Sequence, residues 1–421
     1  MTANNRDLTV KKQFKLSKFL VSWEMILVYI LILINVALLI GNPTTYTFST
    51  VQWTIQLIMG KAFMVFGMIL ILMLGDIDVS IASTMAVSAM SIGLLMDAGI
   101  PQIIAVLGGF AAGALCGLIN GYLVAKLKMS AVIVTISTSL LFRGIVKIVM
   151  DAVPGKKLSN FPEWFKFVST ESLFGIIPIS FLVFLIFGVL FIILLHRSRF
   201  GRKLYMMGNS YTASEYSGID VEKTKIIVFV IGGLMAAVSA IFYLGYSGNS
   251  MNSTIGKGYE LDVIAIAVLG GISTNGGKGR VYGPILATLI MAFLDRVLGL
   301  LEVEENSKKV VTGVILIIAV LIPMINRELW NNIKLKTVYS NNKNIEALRV
   351  RLNNDLKDFN RQKTEIKQNN NLSDEQRENQ LVALNNKIRT AKEKCSKAED
   401  HIRDEIKKER LKTKKPVNTG R

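Results

Sequence analysis

Long apolar segments recur between residues 21 and 325 of this 421-residue chain, and they constrain its fold more than any other feature. A bilayer crossing takes about 20 mostly apolar residues, and a helix satisfies its own backbone hydrogen bonds there. Hydrophobic residues make up 51% of the sequence, and its mean hydropathy is +0.42. We therefore predict an all-α polytopic membrane protein with about ten transmembrane helices. The predicted spans are 21–40, 51–74, 80–97, 101–125, 131–150, 175–196, 226–246, 260–275, 282–301 and 309–325.

The first apolar segment follows a basic stretch and has the general order of a signal peptide. It is too long for the apolar region of a signal peptide, and no small-residue cleavage pattern follows it. We therefore expect a retained anchor helix. The predicted organisation is a cytoplasmic N-terminal segment (1–20), a transmembrane domain (21–325) and a cytoplasmic helical tail (326–421).

Lysine and arginine in the short connections predict the orientation, since cytoplasmic loops carry an excess of them. With ten spans, the termini share one side with loops 75–79, 126–130, 197–225 and 276–281. That side holds 16 Lys and Arg up to Arg327, and the other side holds six. Both termini are therefore predicted to be cytoplasmic. Segment 260–275 is short and contains two glycines, so it is either a span or a deep half-helix.

The tail differs sharply in composition from the membrane part. From Ile325 onward it carries 24 Lys and Arg and 14 Asp and Glu, a basic balance that suits contact with anionic membrane lipid. Its apolar residues fall at coiled-coil spacing on either side of the Asn-rich stretch 369–371, which predicts a helical hairpin. A charged, partly disordered extension is the alternative, and residues 412–421 are expected to be disordered. No nucleic-acid-binding motif is present, so no nucleic-acid partner is predicted.

The scarcity of histidine and cysteine argues against histidine-based catalysis and against a histidine or cysteine metal site. His196 and His401 are its only histidines, and Cys116 and Cys395 are isolated from each other. The glycine-rich stretch 271–279 fails as a phosphate-binding loop, because Ile272 and Gly279 stand where Gly and Ser or Thr are required. We predict no enzyme activity, no cofactor and no metal.

Charged and polar residues inside the apolar segments are candidates for a solute path or for helix breaks. A charge at a helix centre costs roughly 2.5–3.5 kcal/mol on insertion scales, so it usually faces a cavity or a partner. For Lys61 and Arg143 the functional reading is a polar path or gate, and the alternative is a structural pair or a side chain that reaches the interface. For Asp76 and Asp78 a structural role at a helix start is preferred. The full candidate set is Lys61, Asp76, Asp78, Asn120, Arg143, Asp262, Gly270 and Gly271.

Several separated blocks resemble the permeases of ABC importers of the ribose/simple-sugar family. They cover about residues 50–325 and occur in the family order. The blocks are Gly75–Ser80, Asn120-Gly121 with Lys126–Thr135, the loop 208–219, Tyr259–Ala265, Val268–Ser273 and Gly276–Arg280. The chain departs from the family pattern at Thr212-Ala213-Ser214, at Asp295-Arg296, at Lys61 and in its long tail.

The resemblance implies a permease that pairs with a second permease subunit, identical or not, and is driven by a separate ATP-binding subunit. An extracytoplasmic solute-binding protein would deliver a sugar or sugar-like solute, and the location would be the bacterial inner membrane. The loop that docks the ATPase would contain Gly208, Thr212, Ala213, Ser214, Ser217, Gly218 and Ile219. The alternatives are a branched-chain amino-acid permease, an ATP-independent transporter or channel, and a membrane-anchored scaffold built around the tail.

Overall fold

The computed structural model describes residues 22–41, 43–44, 46–159, 161–248, 250–324, 343–368 and 374–413. The chain divides into two compact units, Met1–Pro323 and Met324–Arg421. The first unit contains, in chain order, α1 (Trp23–Gly41), α2 (Phe48–Met73), α3 (Ile81–Asp97), α4 (Gln102–Ala125), α5 (Ala131–Ala152), a 3-10 turn (Pro154–Lys156), α6 (Glu163–Thr170), β1 (Ser172–Leu173), β2 (Ile177–Pro178), α7 (Ile179–His196), α8 (Arg199–Asn209), α9 (Tyr211–Tyr216), α10 (Val221–Tyr246), α11 (Tyr259–Leu269), α12 (Tyr282–Leu300) and α13 (Glu305–Met324). The two strands form a short antiparallel hairpin that pairs Leu173 with Ile177.

Helix α2 is the centre of the first unit. Every residue of its second half and its C-terminal cap, 58–74, is buried. Phe63 stacks on Phe242 of α10 with ring centroids 4.3 Å apart, and Phe66 lies 5.0 Å from Phe184 of α7. A helix with apolar residues all round is expected at such a core position, whereas a one-sided helix is expected at the periphery.

Helices α4 and α10 approach each other through glycines. A Cβ at Gly233 would lie 2.0 Å from the carbonyl oxygen of Gly113, and one at Gly117 would lie 2.3 Å from the carbonyl oxygen of Phe229. Small residues at four-residue spacing let backbones come this close in membrane proteins, where dispersion and interhelical contacts replace the hydrophobic effect. The glycines of α4 therefore hold α10 against the bundle.

Seven helices are long and apolar enough to cross a membrane in the part of the chain that the structure describes. They are α1, α2, α4, α5, α7, α10 and α12. Helix α3 has 17 residues, and residues 309–324 of the predicted span 309–325 lie in α13, while residue 325 is outside the described residues. Helix α11 has 11 residues, about 16 Å at 1.5 Å per residue, and cannot cross a core of about 30 Å. The helix alone therefore does not span, which favours the half-helix alternative for segment 260–275, and the predicted count of ten spans, which includes this segment, is not confirmed.

The outer helices present apolar side chains on their outward faces. Ile103 of α4 and Leu140 of α5 are more than 70% exposed, and α7 also exposes apolar side chains. Faces of this composition are normal for surfaces that lie against lipid or another membrane subunit.

The second unit consists of α14 (Lys343–Gln368) and α15 (Asp374–Thr413), which pack against each other. Lys363 donates a hydrogen bond to Asn385 Oδ1 at 3.2 Å, and Leu384 is buried. Coiled-coil geometry stays a prediction. The predicted break at 369–371, the N-terminal segment 1–20 and residues 414–421 lie outside the described residues.

Candidate functional site

Three capping residues shape the connection between α7 and α10. Ser198 Oγ accepts from Gly201 N at the start of α8, and Ser210 Oγ accepts from Ala213 N at the start of α9. Asp220 Oδ1 accepts from Lys223 N at the start of α10. Such caps satisfy amides that a helix start leaves free, so the sequence sets two short helices here instead of one continuous one. We call α8, α9 and residues 217–219 the platform.

Four glycines join the platform to the rest of the bundle. A Cβ at Gly208 would lie 2.0 Å from Met73 O and 2.2 Å from Gly277 N, and one at Gly276 would lie 2.9 Å from Gly75 N. Gly277 N also donates to Met73 O at 2.9 Å. The end of α2, the end of α8 and the loop before α12 therefore meet backbone to backbone. Gly75, Gly208, Gly276 and Gly277 form what we call the glycine junction.

A buried ion pair ties α10 to the link between α2 and α3. Lys225 Nζ lies 2.8 Å from Asp76 Oδ2, and each side chain is 14% exposed. Lys225 Nζ also lies 4.6 Å from the ring centroid of Tyr211, whose hydroxyl donates to the carbonyl of Leu74. Burial raises the pKa of Asp76, while the Lys225 ammonium opposes the rise. Burial, and secondly the nearby Asp76, raises the pKa of Tyr211.

Helix α9 turns one face outward. Thr212 and Ala213 are exposed, Tyr216 is 91% exposed, and Ser214 is buried against the bundle. The helix ends at Ser217 and Gly218, whose φ of 78° is the left-handed conformation that glycine adopts without strain. Ile219 N then donates to Ser214 O at 3.1 Å, which closes the last turn. All seven predicted loop residues thus lie together on the platform or at its junction.

A second group of charged residues meets at the middle of α2. Lys61 Nζ lies 2.6 Å from Asp262 Oδ2 of α11 and 3.2 Å from Asp295 Oδ2 of α12. Lys61 is 7% exposed, so it faces neither lipid nor bulk water. We call these three residues the ion triad. They line a cavity of about 210 Å³.

The start of α3 is organised by hydrogen bonds. Asp78 Oδ1 accepts from Ser80 N at 2.8 Å and from Ser80 Oγ at 2.6 Å. Asn120 of α4 donates to Ser80 Oγ at 2.7 Å. Burial raises the pKa of Asp78 to about 6, although both bonds from Ser80 oppose the rise. This arrangement suits the preferred structural role of Asp78, whereas Asp76 forms the ion pair described above.

The remaining candidates hold irregular backbone in place. Arg143 of α5 donates to the carbonyl oxygens of Ile255 and Gly256 in the segment before α11. A Cβ at Gly270 would lie 2.2 Å from Pro284 N, and one at Gly271 would lie 2.9 Å from the Trp23 ring. The candidate set therefore separates into the ion triad, the α3 start, the Asp76–Lys225 ion pair, and the packing sites of Arg143 and of Gly270 with Gly271.

Sequence reasoning missed two parts of this geometry. Asp295 was noted only as a departure from the family pattern, although an acidic residue within an apolar segment signals a partner. The pairing of Lys225 with Asp76 has no local signal, because the two residues are 149 positions apart. Among the described residues no group of three or more His, Cys, Asp or Glu side chains is placed to hold a metal ion.

Comparison with known proteins identifies the family. The family model described as "Branched-chain amino acid transport system / permease component" matches residues 51–320. The ribose import permease protein of Escherichia coli (strain K12) is 32% identical over 289 residues, which are 67% of this chain and 87% of that protein. The ribose import permease protein of Bacillus subtilis (strain 168) is 32% identical over 257 residues, 61% of this chain and 79% of that protein.

A further relative is the autoinducer 2 import system permease protein of Yersinia pestis (strain Pestoides F). It is 27% identical over 301 residues, which are 71% of this chain and 90% of that protein. No solved structure matches the chain. The chain therefore belongs to this permease family and is an integral membrane permease of the bacterial inner membrane, of the ribose/simple-sugar type that its sequence blocks predicted.

Proposed function

We propose that this permease forms the translocation path of an importer that carries a sugar or sugar-like solute, and that a separate ATPase docks on the platform. The exposed face of α9 is the observation that carries the proposal. Helix α9 follows α8 directly, and Gly208 of α8 lies against the backbone of Met73, so a displacement of the platform reaches the end of α2 through close backbone contacts. ATP hydrolysis belongs to the docked subunit, and this chain supplies the docking site and the path.

The sugar assignment is supported by the relatives. Two of those described above are named for ribose and one for autoinducer 2, so the branched-chain amino-acid alternative draws support only from the family description. An ATP-independent transporter does not require an exposed helix such as α9 that is joined to the bundle by the glycine junction.

The lysine and arginine bias supports an orientation with both termini and the platform in the cytoplasm. Because α2 crosses the unit, its other half and the cavity beside Lys61 then open toward the extracytoplasmic side. A solute-binding protein would deliver its load there. The exposed apolar faces of α4, α5 and α7 would be covered by lipid and by a second permease subunit, identical or related.

The docking site is tested by Ala213→Arg. Ala213 is exposed on α9, so arginine disturbs the docked surface and leaves the fold unchanged. ATP-driven uptake of a radiolabelled sugar by proteoliposomes that contain the complete importer should fall at least tenfold. Copurification of the ATPase with the permease should fall in parallel.

The matched control is Ala152→Arg, the same substitution at an exposed alanine at the end of α5. It should insert, retain the ATPase and transport as the unmodified protein does. Normal uptake and normal ATPase retention by Ala213→Arg would refute docking on α9.

A further inference from the structure

The ion triad forms the floor of a cavity of about 210 Å³ in the first unit. Four elements surround it: the first half of α2, the start of α11, the end of α12 and the first turns of α13. The platform contacts the opposite, C-terminal end of α2. Lys61 and Met73 are 12 residues apart, so the cavity floor and the junction are separated by about 18 Å along the helix. The cavity is therefore distinct from the docking surface.

The floor retains unused hydrogen-bonding capacity. Lys61 Nζ contacts Oδ2 of both Asp262 and Asp295. The second oxygen of each carboxylate, Oδ1, has no hydrogen bond to the described part of the chain, and these side chains are 20% and 27% exposed. Each carboxylate oxygen accepts hydrogen bonds, so two acceptors are available to hydroxyl groups of a small solute.

Hydroxyl groups stand beside these carboxylates. Thr54 Oγ1 donates to Thr50 O at 2.8 Å, and Thr312 Oγ1 donates to Lys308 O at 3.2 Å. Each threonine has thus used its one hydrogen in its own helix and presents lone pairs to the cavity. A ligand that donates several O–H hydrogens therefore meets acceptors from α2, α11, α12 and α13.

The upper part of the cavity is basic. Lys257, Lys308 and Lys309 line it, so together with Lys61 four ammonium groups accompany two carboxylates. Lys257 and Lys309 are exposed, where a cluster of like charges attracts an ion of the opposite sign. A cavity of about 210 Å³ has room for several waters and therefore for a solute of sugar size.

We propose that this cavity binds a small hydroxyl-rich solute that carries an acidic group, a carboxylate or a phosphate. The hydroxyl groups contact the free oxygens of Asp262 and Asp295, and the acidic group contacts the rim lysines Lys257 and Lys309. This deepens the proposed function, on which it rests, by assigning a class of substrate: a sugar acid or a sugar phosphate in preference to a neutral sugar. The anionic, hydroxyl-bearing headgroup of phosphatidylglycerol presents the same chemistry from a different source.

The test measures binding to the full-length permease, purified in uncharged detergent, by isothermal titration calorimetry. The probes are D-ribose, D-ribonate and D-ribose 5-phosphate, with nanodiscs containing phosphatidylglycerol as a separate arm. At least one acidic probe should bind at least tenfold more tightly than ribose. Lys257→Gln/Lys309→Gln should weaken that binding about tenfold, because both side chains are exposed and their loss does not disturb the core.

Lys166→Gln is the matched control, since Lys166 is exposed on α6 and does not line the cavity. It should bind the acidic probe as the unmodified protein does. Ribose binding as tight as ribonate and ribose 5-phosphate, or unchanged acid binding by the double variant, would overturn the proposal. Binding of phosphatidylglycerol with no binding of the soluble acids would reassign the cavity to lipid and also overturn it.

Failure here is separable from failure of the proposed function. If Ala213→Arg abolishes uptake while the rim lysines prove irrelevant, only the substrate class is wrong. If Ala213→Arg transports normally, the docking surface is wrong whatever the cavity binds.

Discussion

The middle and the C-terminal end of α2 are held by different kinds of interaction, ion pairs and close backbone contacts. Near its middle, Lys61 is held by two carboxylates from α11 and α12 beside an open cavity. At its C-terminus, Met73 is approached by the backbone of Gly208 and Gly277, and Gly75 by the backbone of Gly276, beside the Tyr211 hydroxyl that donates to Leu74 O. Ion pairs can exchange partners with a ligand, whereas close backbone contacts tolerate no rearrangement. The contrast suits a helix that senses a solute near its middle and transmits a rigid displacement at its C-terminus.

Breaking the ion triad should cause the largest loss of stability and of uptake. Lys61→Met leaves Asp262 and Asp295 without their counter-charge, and removing one partner of a buried pair costs about 3–5 kcal/mol of unfolding free energy. Thermal unfolding in detergent should therefore shift strongly downward. Lys61→Met/Asp262→Asn/Asp295→Asn removes all three charges and should regain much of the loss without regaining uptake. A Lys61→Met variant that is more heat-stable than the unmodified protein and transports normally would contradict both the pairing and the path role.

Adding a single methyl group at the glycine junction should destabilise the protein. Gly208→Ala places a Cβ about 2.0 Å from Met73 O, and because backbone cannot swing aside the cost should be about 3 kcal/mol. ATP-driven uptake should be lost, because α9 no longer sits correctly on α2. Gly144→Ala is the matched control, as nothing lies within 4 Å of its added Cβ. In a mid-helix position it should be neutral or slightly stabilising. Equal melting temperatures for the two variants would disprove the junction.

Asp78, at the start of α3, makes the free energy of unfolding depend on pH. Because the pKa of Asp78 is raised to about 6 in the folded protein, its contribution to stability is present below about pH 4 and is lost as the pH rises through 6. The difference amounts to at most about 3 kcal/mol. Asp78→Asn keeps an oxygen that accepts from Ser80 and removes the charge, so this protein should be more stable than the unmodified one at pH 7.5 but not at pH 4.

Unfolding of the two proteins across this pH range in detergent checks the prediction. Asp97→Asn, at an exposed aspartate at the end of α3, is the control and should leave the pH profile unchanged. An unaltered profile for Asp78→Asn would show that Asp78 is not the group responsible.

The sequence predicts features that depend on residues close together in the chain. Lys61 stands out because a charge inside an apolar segment needs a partner, and the loop 208–219 stands out as a polar, small-residue stretch between long apolar segments. What could not be predicted is which distant groups meet. Lys61 and Asp295 are 234 positions apart, and the contact of Gly208 with Met73 involves a backbone carbonyl that carries no residue-specific signal. The half-helix α11 was left open because its glycines indicate a break but not its depth.

The smallest effect on transport is expected from removal of the second unit. The family match ends at residue 320, and α14 and α15 form a compact unit of their own. A chain that ends at Lys336 retains the ion triad, the glycine junction and the platform, so it should import solute at an unchanged rate per inserted molecule. Uptake and stimulated ATP hydrolysis by proteoliposomes with matched permease content measure this directly. A shortened chain that inserts, retains its ATPase and moves no solute would place the tail within the transport machinery, and the contrast between the middle and the C-terminal end of α2 would then be an incomplete description of coupling.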